Sequence, residues 1–260
     1  MSKQKAVHDL DEQAIRTHMN AFDAQSALIS LRVLDQVDST THYLQKHYPN
    51  SHMVAVISDS QSAGLGSYGR SWSSPPGVGI WLSFSWRDSA ASCHLTNLRI
   101  GYAVWEAITP ICAQKPLLKW PNDIVHHDQK LAGIRIDRPT PDMLIIGIGL
   151  NIFPHIHHDA PAALALSSIS NQPLCRNHLT ATILWHCQWH LQHADTFNPL
   201  LAWQNHDALT DTYLHFTSAN QAYEGFYAGI NSQGALCIRN DTTITHFPQA
   251  HITKTVRKTR

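Results

Sequence analysis

Apolar and polar residues alternate most cleanly where Ile80, Leu82, Phe84 and Trp86 interleave with Trp81, Ser83 and Ser85, which predicts a strand from Gly79 to Trp86. Shorter runs predict strands at Leu31 to Val37 and at Met53 to Ile57. The apolar run from Met143 to Ile152 reads as a central strand whose glycines allow close approach of another chain segment. Helical spacing marks residues 10–29, with Leu10, Ala14, Ile15, Phe22 and Leu28. It returns over 94–113, through Leu95, Leu98, Tyr102, Trp105 and Ile108, with Pro116 as the stop, and again over 178–194 and 199–209. From Tyr213 the pattern changes to short strands, Tyr213 to Phe216, Ala222 to Ile230, Ala235 to Arg239 and Thr243 to Phe247, with Asn231-Ser232-Gln233-Gly234 and Asn240-Asp241 as turns. The expected organisation is a helical extension over 1–30, a large domain over 31–211 and a small all-β domain over 212–260.

Two segments concentrate chemistry. Lys119-Trp120-Pro121-Asn122-Asp123 runs into Ile124 and Val125, a polar turn at His127-Asp128-Gln129, and Lys130-Leu131-Ala132-Gly133, which reads as two strands of a hairpin. Pairing would set Asp123 against Lys130, either as an incidental surface ion pair or as a cation and carboxylate facing a polyphosphate. Gly64, Gly66 and Gly69 match G-x-G-x-x-G, but Ser73-Ser74-Pro75-Pro76-Gly77 follows where a dinucleotide site needs a helix. A long loop with free amides and Arg70 remains, suited to wrapping phosphates or closing over a ligand. Asp38, Ser39, Thr40 and Thr41 precede a helical run, and any of them can cap it; the other reading has their hydroxyls facing a ligand's polar head. Asn151 could orient a ligand where its strand ends.

The balance of 19 Lys+Arg and 19 Asp+Glu advertises neither a nucleic-acid nor a membrane surface, and the tail Lys254, Arg257, Lys258, Arg260 reads as a solvated end. Five cysteines without C-x-x-C read as free, mostly buried thiols in a reducing compartment. With no signal-peptide pattern and no long apolar stretch, a soluble, cytoplasmic protein is expected. Histidine is abundant, at 19 residues. His186 and His190, with His193 beside them, share a helical face that could hold a transition metal, but the segment supplies no carboxylate and reads as an ordinary amphipathic helix. His155, His157 and His158 lie in a polar loop.

In order along the chain, D-S-T before a helix, the glycine loop with G-R-x-W, K-W-P-N-D, K-L-A-G-I and I-G-x-G-x-N resemble the biotin protein ligases, from about Leu31 to the C-terminus. The resemblance implies an α+β catalytic domain of class II synthetase type, with helices packed on a mixed or antiparallel sheet, and a C-terminal SH3-like barrel carrying Tyr223-Glu224-Gly225 and Gln233-Gly234-Ala235-Leu236. It implies a two-step ligase that makes biotinyl-5′-AMP from biotin and Mg-ATP and then biotinylates a lysine of a carboxylase's biotin carrier domain. Lys130, Arg70, Lys119 and Asp123 would then be catalytic, with Asp123 the Mg²⁺ ligand. Ser39, Thr40, Thr41, Gln61, Gly64, Leu65, Gly66, Ser67, Lys130 and Gly133 would form the biotin pocket. Arg70, Trp72, Lys119, Asn122 and Asn151 would meet ATP or the adenylate.

The family loop commonly reads G-R-G-x-x-G-R, often with a further arginine, and here those positions are Leu65 and Ser67. Two cationic contacts are therefore missing, which predicts a leakier adenylate. Bifunctional members also carry a DNA-binding domain; the thirty or so residues before the first strand are few for one, so a monofunctional ligase without DNA binding is expected. Family members pair through a sheet edge, which implies a homodimer without singling out an edge. The rival readings are a lipoate- or octanoate-type protein ligase and a non-catalytic biotin- or nucleotide-binding protein.

Overall fold

The computed structural model describes residues 9–22, 30–88, 95–155 and 163–257. Seven strands, β1 (Ser30–Val37), β2 (Val54–Gln61), β3 (Gly79–Arg87), β4 (Leu117–Lys119), β5 (Asp123–His126), β6 (Gln129–Thr140) and β7 (Met143–Asn151), form one sheet in the order β1-β2-β3-β7-β6-β5-β4. Only β1 and β2 run parallel, joined by the crossover helix α2 (Thr40–His47); every other pair is antiparallel. The sheet is therefore mixed, as expected.

Alternation sorts the two faces. Ile80, Leu82, Ile134, Ile146 and Ile148 point into a core shared with α1 (Glu12–Phe22), α3 (Thr96–Ile108), α4 (Arg176–Gln192) and α5 (Pro199–Gln204). On the other face α2 covers β2, β3 and β7, with Leu44, Val54, Val56 and Ile145 as a small second cluster. The side chain of Arg176, at the start of α4, is 1% exposed; its Nη1 lies 2.6 Å from Asp59 Oδ1 and its Nε donates to Gly79 O at 2.9 Å. That pair fixes α4 to the ends of β2 and β3.

Several expectations need correction. The 94–113 helix stops at Ile108, two residues before Pro110, and a 3₁₀ turn (Thr109–Ile111) finishes it, because Pro110 has no N–H to continue the helical hydrogen bonds and its ring crowds the preceding turn. Helix α4 is not amphipathic: α1 and α3 flank it, and Leu179, Thr180, Ile183, Leu184, Cys187, Gln188 and His190 are all buried. The Lys119–Gly133 segment spans three strands rather than two, since Trp120, Pro121 and Asn122 turn the chain between β4 and β5. The leading helix ends at Phe22, and Leu28 lies outside the described residues.

The C-terminal strands β8 (Thr212–Ser218), β9 (Gln221–Ile230), β10 (Leu236–Asn240), β11 (Thr243–Phe247) and β12 (His251–Arg257) form a five-stranded antiparallel sheet in the order β11-β10-β9-β8-β12, compatible with an SH3-like domain. The basic tail is not a free end as far as Arg257: Lys254 and Arg257 lie on β12, paired with β8, and Arg257 Nη2 meets Asp128 Oδ1 at 3.2 Å. Cys112, Cys175, Cys187 and Cys237 are free thiols, three of them buried, while Cys93 lies outside the described residues. Among the described residues, no helix is long and apolar enough to cross a membrane.

Candidate active site

The α2 face of the sheet holds a cavity of about 400 Å³. Its floor is made of residues without bulk. Ser83 pairs with Gly147 across β3 and β7, and Gly133 pairs with Gly149 across β6 and β7. A Cβ on Gly149 would come within 2.4 Å of the Trp72 indole, and one on Gly133 within 2.9 Å of both Trp72 and the Lys130 ammonium. These glycines let the indole lie on the sheet, with Lys130 Nζ 5.0 Å from its ring centroid.

One end of the cavity is a buried hydroxyl network. Ser39 caps α2, accepting from the His42 amide at 3.5 Å, so capping is the role found for it. The next two residues turn inward: Thr40 Oγ1 and Thr41 Oγ1 lie 2.8 and 3.0 Å from Ser83 Oγ. Gln61 Oε1 accepts from the Thr40 amide at 2.9 Å, and its Nε2 donates to Ser74 Oγ at 2.7 Å. Hydroxyl donors and acceptors beside a helix N-terminus suit a small polar, uncharged head group.

The other end carries charge. Lys130 Nζ and Asp123 Oδ1 are 2.6 Å apart on adjacent strands, a part-buried ion pair. The glycine loop folds back on itself, with the Trp72 amide donating to Gly64 O at 2.8 Å and the Gly66 amide to Arg70 O at 2.7 Å. A Cβ on Gly64 would stand 2.4 Å from Trp72 O, so this crossing requires glycine. Asn122 Nδ2 donates to Ser67 Oγ at 3.0 Å, tying the loop to the K-W-P-N-D turn.

Twelve of the residues expected from sequence line the cavity: Ser39, Thr40, Thr41, Gln61, Leu65, Gly66, Ser67, Arg70, Trp72, Asn122, Lys130 and Gly133. Lys119 and Asp123 pair in register at its margin, and Gly64 supports the loop from outside the lining. Asn151 also lies outside the lining; it is buried, and its Nδ2 donates to Lys130 O at 3.3 Å, which makes it a support for the lysine's backbone.

Some lining residues were not expected. Ser83, Gly147 and Gly149 belong to strands whose pattern showed the face but not what covered it. Arg135 Nη1 donates to Gly66 O at 2.6 Å, while its Nε and Nη2 hold the Asp137 carboxylate. Its alternation with Ile134 and Ile136 was the available signal. His251, at the start of β12, lies 3.1 Å from Arg70 Nη1 through Nε2. Burial and then Arg70 push its pKa down, with Lys119 and Lys130 adding to the effect and Asp123 opposing it. A neutral imidazole from the C-terminal sheet thus accepts from the loop arginine.

The Biotin/lipoate A/B protein ligase family matches residues 33–151. The bifunctional ligase/repressor BirA of Salmonella typhimurium is 30% identical over 230 residues, covering 83% of this chain and 71% of that protein. The biotin--[acetyl-CoA-carboxylase] ligase of Mycobacterium tuberculosis is 29% identical over 202 residues, 74% of this chain and 75% of that one. A biotin protein ligase from Aquifex aeolicus, solved with biotin and ATP, superposes with a TM-score of 0.77 at 24% identity, over 88% of this chain and 99% of that one. On this similarity, and on the motifs that meet in one cavity, the chain belongs to the biotin protein ligase family.

Proposed function

We propose that the protein is an ATP-dependent biotin protein ligase acting on a lysine of a biotin carboxyl-carrier domain. The observation that carries this reading is the cavity's polarity, with a hydroxyl network at one end and the Lys130–Asp123 pair beside the Arg70 loop at the other. The ureido head of biotin matches the Thr40, Thr41, Ser83 and Gln61 end. Its carboxylate then reaches Lys130.

In the first step a biotin carboxylate oxygen bonds to the α-phosphorus of ATP, the α–β bridging bond breaks and pyrophosphate leaves. Two anions must approach, so Lys130, Arg70 and Lys119 neutralise their repulsion and the charge that gathers on the phosphoryl oxygens. The Asp123 carboxylate, part-exposed at the margin, fits a dication held by one carboxylate and substrate phosphates, and it would hold Mg²⁺. Bound there, Mg²⁺ supplies charge neutralisation on the polyphosphate. Trp72 and Asn122 bind the adenylate. In the second step the acceptor ε-amine attacks the acyl carbon, the acyl–oxygen bond to AMP breaks, AMP leaves and the amine's proton passes to water, with Asp123 orienting the amine. The loop excludes water from the anhydride meanwhile.

Leu65 and Ser67 supply no charge, and Arg135 sits against the same loop backbone. We assign it the cationic contact that the loop lacks, weakened by its bond to Asp137. We expect pairing of two copies through a sheet edge. The test is transfer of biotin from biotin and ATP to a carrier domain, with mass spectrometry of the acceptor. One biotinylated lysine is the expected result; ATP turnover without acceptor modification, or modification by lipoate instead, overturns the reading.

A further inference from the structure

On the opposite face of the sheet from the cavity, α3 and α4 bring three ligand-type side chains together. His186 and His190 stand at i and i+4 on α4, so both imidazoles leave the helix on one side. Facing them on α3 is Glu106, the carboxylate that the α4 segment itself does not supply. Glu106 Oε2 lies 2.9 Å from His186 Nδ1 and 2.8 Å from His190 Nε2. Among the described residues this is the one group of three or more His, Cys, Asp or Glu side chains whose ligand atoms all fall within 4.8 Å of one another. His193 is not part of it; its Nδ1 is spent on Trp189 O at 2.8 Å.

The ring of His190 is packed in place rather than held by a competing polar contact. Tyr102, Phe197 and Trp189 surround it at centroid distances of 5.5, 4.3 and 4.9 Å. Its side chain is 1% exposed, against 18% for His186 and 39% for Glu106, so the group is closed on the core side and open to water on the other. Two imidazole nitrogens and a carboxylate oxygen, with room for water as a further ligand, are the donor set of a borderline divalent ion. Metal–ligand bonds of about 2.0–2.1 Å ask each imidazole nitrogen to stand only a few tenths of an ångström further from Glu106 Oε2 than its hydrogen bond holds it, and the two nitrogens already lie within 4.8 Å of each other. The protons now shared with Glu106 leave, or move to the other ring nitrogens.

We propose that Glu106, His186 and His190 bind one divalent transition-metal ion of zinc type, which ties α3 to α4 apart from the catalytic cavity. The probe is Co²⁺ added to chelator-treated full-length protein, followed by visible absorption, with Zn²⁺ displacement followed by calorimetry. The expected result is one tight equivalent, a low-coordinate Co²⁺ spectrum abolished by Zn²⁺, and a higher melting temperature with Zn²⁺. Glu106→Gln and His186→Gln, checked for folding by circular dichroism, should each weaken that equivalent by roughly tenfold or more. Equal affinity in these variants overturns the proposal, because the metal is then on other histidines, and so does the absence of binding by the wild type. X-ray absorption at the zinc edge of the wild type needs no variant: two imidazole nitrogens are expected, and a sphere without imidazole contradicts the site.

Discussion

Trp72 shows how much of the site depends on atoms that are missing. The indole lies against Gly149 closely enough that a Cβ there would stand 2.4 Å from the ring. Gly149→Ala should therefore push the indole off the floor and weaken adenylate binding by about tenfold, the scale of overpacking a fitted contact. Calorimetry with a non-hydrolysable biotinyl-adenylate checks this, with circular dichroism unchanged; unaltered affinity contradicts the floor. At the loop, Leu65→Arg/Ser67→Arg should hold the adenylate longer than the wild type, and Arg135→Gln should release it faster. Release of labelled biotinyl-AMP measures both, and equal retention in all three removes the charge argument. The residue types at the proposed reaction centre were legible in the sequence, because Lys130, Asp123, Arg70 and Trp72 sit in compact motifs. Arg135, Ser83 and His251 were not, since each works through a contact with a distant segment: Gly66, the helix α2 threonines and Arg70.

Among elements, the strands and helices followed from periodicity, and the misses have local causes. Pro110 ended a helix early, and a turn over residues 120–122 added a third strand to the expected hairpin. Helix α4 was misread because one sequence stretch cannot show how many neighbours a helix has; enclosure by α1 and α3 buries sides that a surface helix would leave wet. The same enclosure brought Glu106 to His186 and His190 from 80 residues away or more. The start of α4 is anchored by the Arg176–Asp59 pair, where the guanidinium is fully enclosed and the carboxylate only partly. Asp59→Asn, which removes the Asp59 carboxylate from beside a buried cation, should cost about 3 kcal/mol in urea unfolding. A loss below about 1 kcal/mol would mean that water reaches Arg176 easily.

At the scale of the whole molecule, the two sheets are coupled near the Lys119–Gly133 segment. Trp120 Nε1 donates to Gly234 O at 2.9 Å, Arg257 meets Asp128, and buried residues of both sheets form one cluster. Asp207 accepts a hydrogen bond from Tyr227 Oη on β9. Burial pushes the Asp207 carboxyl up to about 6, against the lowering effect of its bonds from Tyr227 and the Leu209 amide. The folded state then binds this proton more tightly than the unfolded chain does. Its stabilisation is complete below the unfolded pKa and is lost as pH rises through about 6, at an order of 3 kcal/mol. The stability difference between wild type and Asp207→Asn should therefore shift in favour of the variant between about pH 4 and pH 6 and stay flat above. A difference that does not change with pH contradicts the shifted carboxyl. The coupling also bears on catalysis, because His251 reaches Arg70 from the second sheet.

Activation of biotin by ATP at the Lys130 end of the cavity underlies the whole proposed reaction. ATP–pyrophosphate exchange, run with biotin, lipoate and octanoate on the wild type and on Lys130→Ala, tests it most directly. Exchange is expected with biotin alone, with a fall of roughly a hundredfold or more in the variant, the scale of losing one charge-stabilising group at a transition state. Exchange driven by lipoate or octanoate, or undiminished in Lys130→Ala, would contradict it.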